Sequence, residues 1–257
     1  MGIMVLAGRE LTAGQLIALA APVGLSATNV KSHVSRMVSE GALEREGSAR
    51  LAKYRMSSEQ ARQIEALRAR LDTKPKQAWD GSWLMLTLQL PRSRVDRDWL
   101  RASLWFDGFR PVAPKTFLRP AWPLPWAEEQ ARQLSARTSG FCVRGVTIAA
   151  PTELGCLYDL RRLDSQARRL AAWIHKRNIS SMSPRALFAE RIKVGGQVVQ
   201  LIGHDPRLPP SVWGQRRGLN DLVDAFLKFD KRVAGQAQNF VEEITGAGAA
   251  LGSIRES

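Results

Sequence analysis

The stretch from Thr12 to Met56 constrains the fold of this chain most, because helix, break, helix and hairpin signals follow one another in it without a gap. Thr12 with Gln15 opens a short helix through Ala20, Pro22 and Gly24 break the chain, and Ser26 caps a second helix running to about Glu40. That is helix-turn-helix spacing. On the second helix Ala27, Val30, Val34, Met37 and Val38 recur at i, i+3, i+4 and i+7, so they are expected to bury against the first. Thr28, Asn29, Ser32, Arg36 and Ser39 then point away from that core. Gly41 ends the helix. Leu43 to Glu46, the turn Gly47, Ser48, Ala49, and the run Arg50 to Met56 read as a hairpin, the wing of a winged helix-turn-helix. In its second strand Ala52, Tyr54 and Met56 share one face and Lys53 and Arg55 the other, which leaves Arg50 near the tip.

The outward face of the second helix carries an amide that can pair with adenine, a guanidinium that suits guanine or phosphate, and hydroxyls that suit either. Lys31 and His33 flank it as phosphate contacts or solvated side chains. The candidate DNA contacts are therefore Ser26, Thr28, Asn29, Lys31, Ser32, Ser35, Arg36, Arg50, Lys53 and Arg55. Charge agrees with a polyanionic partner: Lys plus Arg outnumber Asp plus Glu 38 to 24, a surplus of +14. The competing reading is an amphipathic helical pair with a solvated charged face, used for protein contacts or for nonspecific nucleic-acid binding.

Beyond this reader the composition changes, since all eight tryptophans lie after residue 57. Ser57 with Gln60 makes a capping box, and Ala61, Ile64, Leu67 and Leu71 recur at helical spacing, which predicts a linker helix ending near Lys74 and Pro75. From Trp83 to Leu90, Leu84, Leu86, Leu88 and Leu90 alternate with polar or softer residues, the period of a half-buried strand. A helix over about Val95 to Phe106 follows, with Trp99, Leu100 and Leu104 inward and Gly108 at its end. Short strands at Phe109 to Val112 and Thr116 to Arg119, a helix at Pro125 to Ala136 and a strand at Phe141 to Ala149 complete a strand, helix, strand, strand, helix, strand order. That order fits a ferredoxin-like βαββαβ unit. The last third reads as helices at about Leu163 to Lys176, Pro184 to Ile192 after a Ser183 cap, and Leu219 to Ile244, with Gly195 and Gly196 weakening any continuous helix between the last two.

The fold class expected is α+β, divided into a winged helix-turn-helix (residues 1–57), a linker helix (58–78), a ferredoxin-like central domain (79–160) and a C-terminal helical domain (161–257). The two cysteines, Cys142 and Cys156, make no disulfide framework and no zinc pair, and both are expected as packing residues of a chain in a reducing, cytoplasmic compartment. The N-terminus does not describe a secretory signal, and no run approaches the ~20 apolar residues that span a bilayer.

Four strings in order resemble the PaaX family of bacterial transcriptional repressors: LIALAAPVGLSATNVKSHVSRMVSEGALERE, WDGSWLMLTLQLP, GFRPVAPKTFLRP and HDPRLPP. The resemblance implies a central domain similar to the small CRISPR adaptation nucleases. It also implies a homodimer that represses a catabolic operon for phenylacetic acid until an aryl-CoA or acyl-CoA thioester, phenylacetyl-CoA among them, releases it from double-stranded operator DNA. Two departures stand out: Met1 to Gly8 is short for the further helix that family members carry ahead of the helix-turn-helix, and the recognition helix is poorer in arginine than the family pattern.

Two further chemistries, metal-dependent cleavage and effector binding, place demands on particular residues. A metal-dependent nuclease needs a carboxylate near the end of the first central strand, which here reads Gln89, Leu90, Pro91, Arg92, while Asp96 and Asp98 sit in the first turn of the next helix. His33, His175 and His204 form no ligand cluster, and GVTIAAPTELG lacks phosphate-loop spacing, so no metal, cofactor or catalytic residue is expected. For an effector, Arg207 offers a cation to an anionic ligand, with His204 and Asp205 beside it and Trp79, Trp83 and Trp213 as an aromatic surface. The plainer reading is that Asp205 folds its own loop and the tryptophans are core.

Overall fold

The computed structural model describes residues 2–47, 52–68, 71, 79–122, 132, 140–148, 157–206, 208, 209 and 217–246. The chain divides into two compact units that do not follow chain order. One comprises Met1–Leu71, Leu170–Val199 and Val223–Ser257, the other Asp72–Arg169 and Gln200–Leu222. The first unit thus joins N-terminal residues to residues of the C-terminal helices, since an amphipathic helix announces that it has an apolar stripe but not which partner covers it.

The first unit begins with α1 (Gly2–Ala7), β1 (Leu11–Thr12) and α2 (Ala13–Ala20). A single 3-10 turn at Ala21–Val23 precedes α3 (Ala27–Ser39), β2 (Leu43–Glu46), β3 (Lys53–Met56) and α4 (Ser58–Arg68). The short N-terminal run does form a helix, with Met4 and Ala7 buried, so its shortness was no obstacle. At α2 the Gln15 N–H donates to Thr12 Oγ1 at 3.3 Å and the Thr12 N–H to Gln15 Oε1 at 2.9 Å, which satisfies two of the free helix-start groups. Pro22 sits in the single turn that follows, and Gly24 at φ 83 reverses the chain where a side chain would be strained. The Ser26 hydroxyl then accepts from the Asn29 N–H at 3.2 Å and starts α3. The three strands form an antiparallel sheet in the order β1-β3-β2, with Arg45 opposite Tyr54 and Glu44 opposite Arg55.

Three long helices follow: α6 (Leu160–Lys176), α7 (Pro184–His204) and α8 (Arg217–Thr245), whose residues contribute to both units. Leu11, Leu16, Leu19, Val30, Val34 and Leu43 share one buried core with Phe188 of α7 and Ala237, Phe240 and Val241 of α8. Ala27, expected on the inward face of α3, is exposed. The break expected at Gly195 and Gly196 does not occur, because α7 runs through both to His204. Val194 and Val198 flank them fully buried, and that packing outweighs the roughly 1 kcal/mol helix penalty of each glycine. Arg191 forks onto both carboxylate oxygens of Asp230 at 2.7 and 3.0 Å, fixing α7 against α8 within this unit.

The second unit holds β4 (Trp83–Thr87), α5 (Arg94–Phe106), β5 (Arg110–Ala113), β6 (Thr116–Pro120) and β7 (Phe141–Val146). The sheet order is β5-β6-β4-β7 with every neighbouring pair antiparallel. The alternating leucines behave as their period required: Leu84, Leu86 and Leu88 are buried, and they pack with Leu100 and Leu104 of α5. The helix expected at Pro125 to Ala136 lies outside the described residues. Gly108, at φ 80, ends α5 where a Cβ would stand 2.8 Å from the Pro206 carbonyl oxygen. Within the string HDPRLPP, Asp205, Pro206, Leu208 and Pro209 are buried.

Candidate nucleic-acid interface

Burial of Val30 and Val34 fixes the rotation of α3, and that rotation decides what solvent meets. Thr28, Asn29, Lys31, Ser32, Ser35, Arg36 and Ser39 are all exposed, and with Ser26 at the cap they form one polar strip along a 13-residue helix. Arg36 lies along this strip, its Nη2 donating to His33 Nδ1 at 3.0 Å and its Nε 3.8 Å from Glu40. Both contacts are open to water, so they cost little to exchange for a stronger partner. The strip intersperses the hydroxyls and amide of Thr28, Asn29, Ser32, Ser35 and Ser39 with the cations Lys31 and Arg36.

The hairpin sorts its charges by face. Leu43, Arg45, Tyr54 and Met56 share the side that continues the core, whereas Glu44, Glu46, Lys53 and Arg55 share the other. On that outer side Arg55 pairs with Glu44 at 2.5 Å and Lys53 reaches Glu10 at 3.9 Å, and both pairs, like that of Arg36, are open to water. Arg50, at the expected wing tip, lies outside the described residues.

Between α3 and the hairpin runs a cleft of about 160 Å³ lined by Ala13, Val30, Lys31, Val34, Ser35, Val38, Arg45 and Tyr54. Arg45 and Tyr54 were missed as candidates. The signal was present in the two-residue period from Leu43, which places Arg45 on the inward face beyond the point where the core ends.

The expected ligand-contact residues fall in the second unit in different surroundings. Trp83 is buried and meets Trp79 edge to face at 5.7 Å between ring centroids. Trp79 is half-buried, with its Nε1–H donating to the Ser82 carbonyl at 2.8 Å. His204 is exposed at the end of α7 and Asp205 is buried, while Arg207 and Trp213 lie outside the described residues. Among the described residues no group of three or more His, Cys, Asp or Glu side chains stands ready for a metal ion. Asp98 is held by Arg94 at 3.8 Å on the surface of α5. Cys142 is half-buried beside the second unit's core, and Cys156 lies outside the described residues. None of the described helices is long and apolar enough to cross a membrane.

Packed helices with two antiparallel sheets place the chain in the α+β class, with one helix that turns an amide, hydroxyls and a guanidinium outward. Residues 3–60 match the family described as PaaX-like protein, and residues 76–152 match the family described as PaaX protein central Cas2-like domain. The chain belongs to the PaaX family, and membership points to a transcriptional regulator of phenylacetic acid catabolism. No curated protein matches it. Among solved structures it is similar to an uncharacterized protein from Mycobacterium tuberculosis, at 22% identity and a TM-score of 0.47 over 86% of this chain and 91% of that one.

Proposed function

We propose that this chain is a DNA-binding transcriptional repressor in which α2, α3 and the β2–β3 hairpin act as a winged helix-turn-helix and α3 enters the major groove. The observation that carries the reading is the polar strip of α3: a capped helix, anchored by buried Val30 and Val34, holds Thr28, Asn29, Ser32 and Arg36 outward beside a hairpin. Asn29 is suited to adenine and Arg36 to guanine, whereas Ser26 and Ser35 are suited to the backbone. Lys53 and Arg55 keep their place in the contact set on the outer face of the hairpin, where their pairs with Glu10 and Glu44 are open to water and exchange readily for phosphate. In the second unit, the order β5-β6-β4-β7, with α5 between β4 and β5 along the chain, supports a ferredoxin-like core.

The repressor acts as a homodimer on an approximate inverted repeat, and an aryl-CoA thioester releases it by binding the DNA-incompetent arrangement better. Of the expected effector contacts, Trp79 and His204 are the described ones that solvent reaches. Selection from a randomised duplex pool with the full chain should return such a repeat. Asn29→Ala and Arg36→Ala should each relax preference at one base step by about 1–3 kcal/mol. Phenylacetyl-CoA should weaken the bound state while free CoA does not. Equal affinity for selected and scrambled duplexes would sink the base-reading claim, and indifference to any aryl-CoA would sink the release mechanism.

A further inference from the structure

The cations of the first unit's reader fall into two groups that position along the sequence does not distinguish. Arg36, Lys53 and Arg55 each stand beside a carboxylate, of Glu40, Glu10 and Glu44 respectively. Lys31 and Arg45 have no ion pair and no side-chain hydrogen bond among the described residues, and both line the cleft between α3 and the hairpin. No acid shares that lining. Its remaining members are the hydroxyls of Ser35 and Tyr54 and an apolar floor of Ala13, Val30, Val34 and Val38. The outer face of the hairpin is the reverse case, with Glu44 and Glu46 directly across the ladder from Arg55 and Lys53.

Two unneutralised cations and two hydroxyls around one concavity are a receptor for a single tetrahedral anion. At about 160 Å³ the cleft has room for several waters' worth of volume, enough for a phosphodiester and part of its hydration shell. The position of the cleft decides the source of that anion. It opens alongside the strip carrying Asn29 and Ser32, one helix face away from the side chains proposed to reach base edges. A duplex read by that strip brings its backbone, with one negative charge per phosphate, against the neighbouring face.

We propose that the α3–hairpin cleft clamps one backbone phosphate of the duplex between Lys31 and Arg45, with the Tyr54 and Ser35 hydroxyls donating to its oxygens. The proposal rests on the DNA-binding reading above and adds the contact that sets the helix's register on the duplex. Arg45 supplies a planar fork to two phosphate oxygens, and Lys31 supplies a point charge. Phosphate contacts of this kind fix position without reading sequence.

The test uses the full chain and a duplex it selects from a random pool, with each phosphate of one half-site replaced in turn by a neutral methylphosphonate. The wild type should lose affinity at one position that Arg45→Gln and Lys31→Gln no longer sense. Each of those variants should lower the slope of log K against log salt by about 1 per protomer, weakening selected and scrambled duplexes alike. Both positions are exposed, so unchanged thermal melts are expected to certify folding, and Tyr54→Phe, which keeps the ring, repeats the methylphosphonate test without removing charge. Arg55→Gln, on the outer face of the hairpin and outside the cleft lining, should still sense that position. If Arg45→Gln and Lys31→Gln keep the wild-type slope, or Arg55→Gln loses the same methylphosphonate position, the cleft is no phosphate site while the DNA reading stands. If the wild type selects no duplex, both fall.

Discussion

A buried arginine has to be explained by its partners, and among its described residues the second unit contains two. Arg119, 1% exposed, donates to the backbone carbonyls of Asp107, Pro120 and Trp122, and so closes the chain around the end of α5 and the exit of β6. Arg110, 3% exposed, donates through Nη1 to the Trp105 and Phe109 carbonyls and lies 3.5 Å from the centre of the Trp105 ring and 4.8 Å from that of Tyr158. Burial pushes the Arg110 guanidinium down to about 10, so it remains charged at neutral pH. Its flat, weakly hydrated fork fits between two rings, as a lysine ammonium could not. Arg110→Lys is therefore expected to destabilise the second unit by about 2 kcal/mol or more in a urea melt, although charge is conserved. Beside it the Tyr158 hydroxyl donates to the Gly108 carbonyl at 3.0 Å, and burial pushes its pKa up to about 12. Tyr158→Phe should remove an absorbance step near that pH, and retention of the step would contradict the assignment.

Element by element, local chemistry was legible wherever an element's own residues determine it. Thr12 and Ser26 cap the helices they were expected to cap, the leucines of β4 alternate as read, and Gly108 ends α5. What could not be read was whatever another part of the chain supplies. Gly195 and Gly196 look like breakers until the buried valines on either side are known, and Arg45 looks like one more strand charge until α3 is laid against it. Gly108 shows the same division within one residue. Its positive φ was predictable from a helix end, but the approach of Pro206 to 2.8 Å of a would-be Cβ was not. Gly81 has a similar φ of 83 with nothing within 4 Å, so the two positions separate backbone strain from collision within one unit. Gly81→Ala should cost about 1 kcal/mol from the left-handed backbone alone. Gly108→Ala should cost distinctly more, about 3 kcal/mol, because backbone must also move. Equal losses in a denaturant melt would mean that Pro206 does not hold its place over Gly108.

At the scale of the whole chain, the segment proposed to read DNA does not own its core. Leu16, Leu19, Val30 and Val34 bury against one another, but the same cluster continues into Phe188 and Phe240, whose rings meet at 5.4 Å between centroids. A segment of some 70 residues is marginal as an independent domain. Here the missing apolar surface comes from helices that the chain makes only after residue 183. Phe240→Ala should accordingly lower the stability of the first unit by about 3–5 kcal/mol, the usual cost of a large aromatic cavity. The consequence to measure is distant in sequence: hydrogen exchange of the α2 and α3 amides should accelerate, while the β4 amides of the second unit keep their protection. Affinity for a selected duplex should fall with it, although Phe240 carries no group that DNA could contact. Unchanged exchange in α2 and α3 would show that residues 2–68 stand alone, and the C-terminal helices would then have no share in holding the polar strip of α3 outward.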